Sequence, residues 1–184
     1  MTRQEGMFLL EVARSAIGTH LRHKSLRPPE TENPLFLEKR GVFVTLHDAA
    51  GELRGCIGRV AATEPLIETV SQMAIEAAFH DPRFFPLKEE ELEKVSLEIS
   101  VLSELRKMNS PDGIEVGRDG LLIQRGAASG LLLPQVATEN GWDRQTFLTY
   151  TCRKAGLPAD AWKEKETELY TFTAEILSER ALHD

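Results

Sequence analysis

Apolar residues return every three or four positions between Arg3 and Arg22. Leu9, Val12, Ala13, Ala16, Ile17 and Leu21 share one stripe, and Glu11, Arg14 and Ser15 fall outside it. That spacing predicts an amphipathic helix. The period then stops. SLRPPETENPLF carries three prolines, each of which removes a backbone donor and restricts the residue before it, so an extended loop is expected. The next pattern has period two. Gly41 to His47 (GVFVTLH) and Glu52 to Val60 flank the turn-forming Asp48-Ala49-Ala50-Gly51, which predicts a β-hairpin. TEPLIETVSQMAIEAAF then resumes the helical period through Leu66, Ile67, Val70, Met73, Ala74 and Ala77. Thr63 is the expected N-cap, Pro65 sits early, and the helix is expected to end before Pro82.

Beyond an acidic turn at Glu89–Leu92, Leu97, Ile99 and Val101 alternate with Glu98, Ser100 and Leu102, a strand pattern. IEVGRDGLLIQRGAASGLLLP reads as short strands with hairpin-like turns at GRDG and GAASG. A helical turn is expected at Gln135–Asn140, a helix at Asp143–Ala155 ended by Gly156 and Pro158, and a short helix near Asp160–Lys165. ELYTFTAEIL closes the pattern as one last strand, with Tyr170, Phe172, Ala174 and Ile176 alternating with polar residues. Hairpins and non-alternating strands predict an α+β fold, a two-layer arrangement with a mostly antiparallel sheet and flanking helices. The glycine-rich middle, around residues 104–145, is a candidate smaller lobe.

Composition narrows the classes. A chain of 184 residues with 41% hydrophobic and 28% charged residues fits a folded globular protein. The N-terminus lacks a signal-peptide layout, and no window approaches the roughly 18 apolar residues a membrane helix needs, so an intracellular, cytoplasmic protein is expected. A net charge of −7 and a pI near 5.3 argue against broad nucleic-acid binding. Cys56 and Cys152 stand in different contexts, and neither they nor the scattered histidines (His20, His23, His47, His80, His183) form a metal-binding spacing, so no metal or cofactor is implied. The glycine-rich segments match neither a dinucleotide fingerprint nor a P-loop.

The concentrated chemistry lies in LRGCIGR, residues 53–59. Simple strand alternation puts Arg54, Cys56 and Gly58 on one face and Gly55, Ile57 and Arg59 on the other, making Arg54 the natural companion of Cys56. A thiol flanked by guanidinium groups is a candidate nucleophile, with His47 or His80 as candidate bases, and glycine on either side allows close approach of a ligand. The opposing reading is packing: a free cysteine commonly serves as a small hydrophobe. HDPRFFP admits the same two readings. Asp81 and Pro82 end a helix with Phe84 and Phe85 entering the core, or Arg83 supplies an anion contact.

LRGCIG, followed by AFHDPRFFPL and then by LLLPQVATENGWD with RKAGL, resembles the AMMECR family, named for the AMME chromosomal region. Microbial members of that family are AmmeMemoRadiSam system protein A. The match falls on Arg54, Gly55, Cys56, Ile57 and Gly58, on Asp81, Arg83, Phe84 and Pro86, and on Leu133, Pro134, Val136, Gly141, Trp142 and Asp143. His80 and Cys152 lie outside the family pattern. The resemblance implies a larger and a smaller subdomain with the signature in the cleft region between them. It brings no established activity, and it implies possible work alongside Memo-like and radical-SAM proteins. Three functions follow as expectations. The first is an enzyme or binding protein for an unknown small molecule, with Cys56 as catalytic candidate and Arg54, Gly55, Gly58, Asp81 and Arg83 as ligand-site candidates. The second is an accessory subunit with those partners, and the third is a part of nucleic-acid machinery.

Overall fold

The structure is a computed structural model that describes residues 1–25 and 27–180; Leu26 of the proline loop and His183 of the histidine set lie outside the described residues. The chain divides into two compact units. The first comprises Met1–Leu102 and the chain from Glu175 onward, and the second comprises Ser103–Ala174. Each holds a four-stranded sheet, so the class is α+β with antiparallel sheets and flanking helices.

The first unit opens with α1 (Arg3–Leu21), whose start is fixed by a capping box. Thr2 Oγ1 accepts from the Glu5 N–H at 3.3 Å, and the Glu5 carboxylate accepts from the Thr2 N–H at 2.7 Å. The predicted stripe is the buried one: Leu9, Val12, Ala13, Ala16 and Ile17 all lie in the core. The proline loop is not extended throughout. Pro34–Leu37 forms a short helix α2, because Pro34 occupies a first-turn position where no donor is lost and Asn33 Oδ1 accepts from the Leu35 N–H at 3.0 Å. Phe36 is thereby buried against Phe8, with ring centroids 5.1 Å apart.

The sheet runs in the order β2–β1–β3–β8, with β1 Val42–His47, β2 Leu53–Arg59, β3 Ser96–Leu102 and β8 Ala174–Ser178. Val42, Val44 and Leu46 on β1 and Leu97, Ile99 and Val101 on β3 share a core with Leu66, Val70, Met73 and Ala74 of α3 (Leu66–Ile75). The N-cap expected for α3 needs correction, whereas the helical segment ends before Pro82 as expected. Pro65, not Thr63, is the capping position, and no side chain caps the helix there. The α-helix stops at Ile75, and the chain continues as a π-helical turn, Glu76–His80.

The second unit orders its strands β4–β7–β5–β6, with β4 Arg106–Met108, β5 Gly120–Arg125, β6 Ala128–Leu132 and β7 Glu168–Phe172. Gly126, at φ +58°, turns the β5–β6 hairpin. GRDG, in contrast, joins no hairpin, because β4 pairs with β7. Helices α4 (Pro134–Glu139) and α5 (Arg144–Lys154, capped by Asp143) flank a core of Ile114, Leu121, Ile123, Phe147, Leu148 and Cys152. Trp142 stacks on Tyr150, with ring centroids 4.2 Å apart. The final strand predicted from ELYTFTAEIL is two strands in two sheets. The period is continuous in the residues, but Thr173 leaves the ladder to exchange hydrogen bonds with Ser103, donating to its Oγ and accepting from its N–H, both at 2.9 Å.

Candidate functional site

The signature stretch is β2, at the edge of the first sheet. Its register on β1 pairs Thr45 with Cys56 and Leu46 with Gly55, then skips to His47 opposite Leu53. Arg54 is therefore the extra residue of a bulge. Gly55 and Ile57 turn toward the helices, and Cys56 and Gly58 turn to the opposite face. A Cβ on Gly55 would lie 2.2 Å from the carbonyl oxygen of Ala77 in the π turn. Only glycine lets strand and turn come this close.

The π turn delivers the next residue, Asp81, to the outer edge of β2. Asp81 is buried, and its Oδ2 accepts from the Cys56 backbone N–H at 2.9 Å and from Arg83 Nη2 at 2.7 Å. Its Oδ1 accepts from the backbone N–H and Nε of Arg83, at 3.1 and 2.9 Å. Arg83 Nη2 also donates to the carbonyl oxygen of Cys56 at 3.2 Å. The carboxylate and guanidinium thus take up both edge-facing backbone groups of Cys56, as a neighbouring strand otherwise does. The Arg83 guanidinium, helped by the two backbone N–H donors, holds the Asp81 carboxyl well below the usual carboxylate range, against the opposing effect of burial. Arg83 shifts upward for the same reason.

Arg54 is committed elsewhere. Its Nε and Nη2 donate to the two carboxylate oxygens of Glu91 at 3.0 and 3.2 Å, and Glu91 also accepts from the Lys88 N–H at 2.8 Å. Bonding to Arg54 is the main reason that the Glu91 carboxyl is lowered. Arg54 Nη1 is shielded and has no hydrogen-bond partner among the described residues. Phe84 is half-buried near both arginines, its ring centroid 6.0 Å from Arg54 Cζ and 5.5 Å from Arg83 Cζ. The expectation that both phenylalanines enter the core is corrected here. Phe85 is 88% exposed, and Leu87 fills the core position instead, its N–H bonded to Ala78 O at 2.9 Å.

What this leaves for chemistry is the half-buried Cys56 thiol, whose sulfur accepts from Thr45 Oγ1 at 3.3 Å. Thr45 and Cys56 face each other without mutual backbone bonds, the pairing that brings side chains closest. Neither candidate base bonds to this sulfur: His80 Nδ1 meets Glu76 at 3.2 Å and its ring packs edge-on to His20, while His47 Nδ1 is shielded and has no hydrogen-bond partner among the described residues. The structure therefore gathers Gly55, Cys56, Asp81 and Arg83 around one peptide and ties Arg54 to Glu91 beside them. Sequence reasoning missed Thr45 and Glu91. The hairpin register carried the signal for Thr45; Glu91 lay inside an acidic run that offered none. Among the described residues, no group of three or more His, Cys, Asp or Glu side chains is placed to hold a metal ion, and no helix is long and apolar enough to cross a membrane.

An edge strand clamped by a carboxylate–guanidinium pair defines the site in an α+β fold, and comparison with known proteins supplies the class. The chain belongs to the AMMECR1 family, whose family model matches residues 10–177. A protein of Methanothermobacter thermautotrophicus is 50% identical over 186 residues, spanning 97% of this chain and 96% of the relative. Protein TK0174 of Thermococcus kodakarensis is 48% identical over 95% of this chain and 90% of its own. The crystal structure of the uncharacterized protein PH0010 from Pyrococcus horikoshii superposes with a TM-score of 0.89 at 45% identity, covering 96% of this chain and 92% of that one.

Proposed function

We propose that this AMMECR1-family protein is a cytoplasmic enzyme or binding protein for a small molecule that meets the Cys56 thiol. The observation that carries the reading is a division of labour around one residue. Asp81 and Arg83 hold the Cys56 backbone from the strand edge, which leaves its side chain on the sheet face turned away from the helices. The arginines act as builders in this reading: Arg83 orders the Asp81 clamp, and Arg54 with Glu91 anchors the bulge. The Thr45 hydroxyl stabilises negative charge that develops on sulfur when the thiol reacts.

Iodoacetamide alkylation of the native protein, followed by mass spectrometry, tests this. The expected result is modification of Cys56 at a rate that falls in Thr45→Val, with Cys152 untouched as an internal control. A Cys56 that stays unmodified until the protein unfolds would sink the reading.

A second reading rests on Phe85. A phenylalanine 88% exposed beside the clamp suits a contact surface for a protein partner, and the Memo-like and radical-SAM proteins are the partners the family resemblance proposes. Co-purification of wild type and Phe85→Ser with those proteins decides it; equal recovery of both, or recovery of neither, removes it. Nucleic-acid machinery ranks last, because the chain is acidic.

A further inference from the structure

A hollow of about 430 Å³ in the second unit, far along the chain from Cys56, opens between the end of β4, the start of β7 and the segment before it. Its lining includes Lys107, Asn109, Trp162, Lys163, Lys165 and Thr167. Its volume falls within the range of small-molecule sites, roughly 300–1,000 Å³.

The charges are distributed unevenly. Both glutamates of the lining already have cations: Glu168 is paired with Lys107 and also accepts from Tyr170, and Glu164 is paired with Arg125. Lys163 and Lys165 have no carboxylate partner among the described residues, although the whole chain carries a net charge of −7. Two ammonium groups without a carboxylate partner at one concavity of an acidic protein favour an anion. The ring chemistry is equally specific. Trp162 packs one part of its indole against the core of this unit, and the Lys163 ammonium lies 5.0 Å from its ring centroid. A single ligand carrying both a flat ring and an anionic group can therefore meet indole and ammonium together. Beside them, the shielded Thr167 hydroxyl has no hydrogen-bond partner among the described residues.

We propose that this hollow is a second ligand site, for a small organic anion with a planar ring, of nucleoside phosphate chemistry. The ring lies against Trp162, and the phosphate oxygens accept from Lys163 and Lys165. The site is independent of Cys56.

The test uses the full chain with Trp142→Phe, so that Trp162 is the remaining tryptophan, and titrates ADP, adenosine and pyrophosphate separately, reading tryptophan emission and heat. ADP is expected to change Trp162 emission saturably and to bind more tightly than either fragment. Lys163→Ala and Lys165→Ala are each expected to weaken ADP about tenfold or more, as loss of a charge-assisted hydrogen bond does. Both lysines are exposed, so their thermal unfolding should match the parent, and Cys56→Ser should leave ADP binding unchanged. No saturable response to millimolar ADP overturns the proposal. So does an affinity that the lysine variants do not alter, and pyrophosphate binding as tightly as ADP removes the ring from the ligand class.

Discussion

Each sheet has an edge strand in which one glycine presses against a helical segment, and the two edges differ instructively. In the first unit, a Cβ on Gly55 of β2 would sit 2.2 Å from Ala77 O; in the second, a Cβ on Gly130 of β6 would sit 2.3 Å from the backbone nitrogen of Ala155, at the end of α5. Both glycines are demanded by packing, so a glycine in a strand does not by itself mark a site. The edges part in what surrounds them. Near β6 the cysteine is Cys152 of α5, fully buried, with burial pushing its thiol up. On β2 the cysteine belongs to the strand itself, keeps partial exposure, and has its backbone held by Asp81 and Arg83. A polar clamp added to a packing requirement separates a candidate site from a scaffold joint.

The largest expected effect attacks the shared feature. Gly55→Ala and Gly130→Ala each force a methyl group against backbone atoms that have no rotamer to yield, and each should lose about 3 kcal/mol in denaturant unfolding. The comparison predicts that only Gly55→Ala, which pushes the π turn and its Asp81 away from β2, also changes the alkylation rate of Cys56 under native conditions. Equal alkylation rates in the two variants would show that the clamp does not govern the thiol.

This contrast also locates what was legible in the residues. The helical stripe of α1, the first hairpin and the α+β class follow from periodicity, and the motif residues Gly55, Cys56, Asp81 and Arg83 do converge on one peptide. Strict alternation assigned Arg54 to Cys56, but the bulge breaks alternation at that position, and Arg54 turns to Glu91 thirty-seven residues away. The π turn was invisible because a change of pitch over five residues leaves the apolar pattern nearly intact. The division of ELYTFTAEIL between two sheets was hidden for a related reason: period two persists across Thr173, and only its tertiary bonds to Ser103 interrupt the ladder.

Next in size is the clamp. Asp81→Ala leaves the Cys56 N–H and the Arg83 guanidinium without their acceptor, and should cost about 2 kcal/mol. The acid side gives a sharper measurement. Because the folded Asp81 carboxyl lies below its unfolded value of about 3.9, its contribution is fully present above that pH and is lost as the pH falls toward the folded value. Asp81→Asn should therefore lose less stability than wild type on acidification below about pH 4, by urea midpoints compared across pH. Parallel curves for the two proteins would refute a strongly paired Asp81. Arg54 and Glu91 follow with a smaller effect: a double-mutant cycle of Arg54→Ala and Glu91→Gln should return about 1 kcal/mol of coupling, since the pair is bidentate but partly solvated.

The smallest effect on stability carries the most information about function. Thr45→Val keeps the β-branched shape on β1 and removes only the hydroxyl that donates to Cys56 Sγ, so the unfolding free energy should change by less than about 1 kcal/mol. If the thiol of β2 is a reactive group held by its surroundings, losing that donor slows its alkylation while the fold is preserved. If Cys56 is packing material like Cys152, the rate follows global opening, and Thr45→Val changes it only as far as it changes stability. Plotting the Cys56 alkylation rate against unfolding free energy for Thr45→Val, Asp81→Asn and Gly130→Ala separates the two cases. Points on one line make the two edge strands equivalent, and a Thr45→Val point below that line gives the β2 edge a chemical role that the β6 edge lacks.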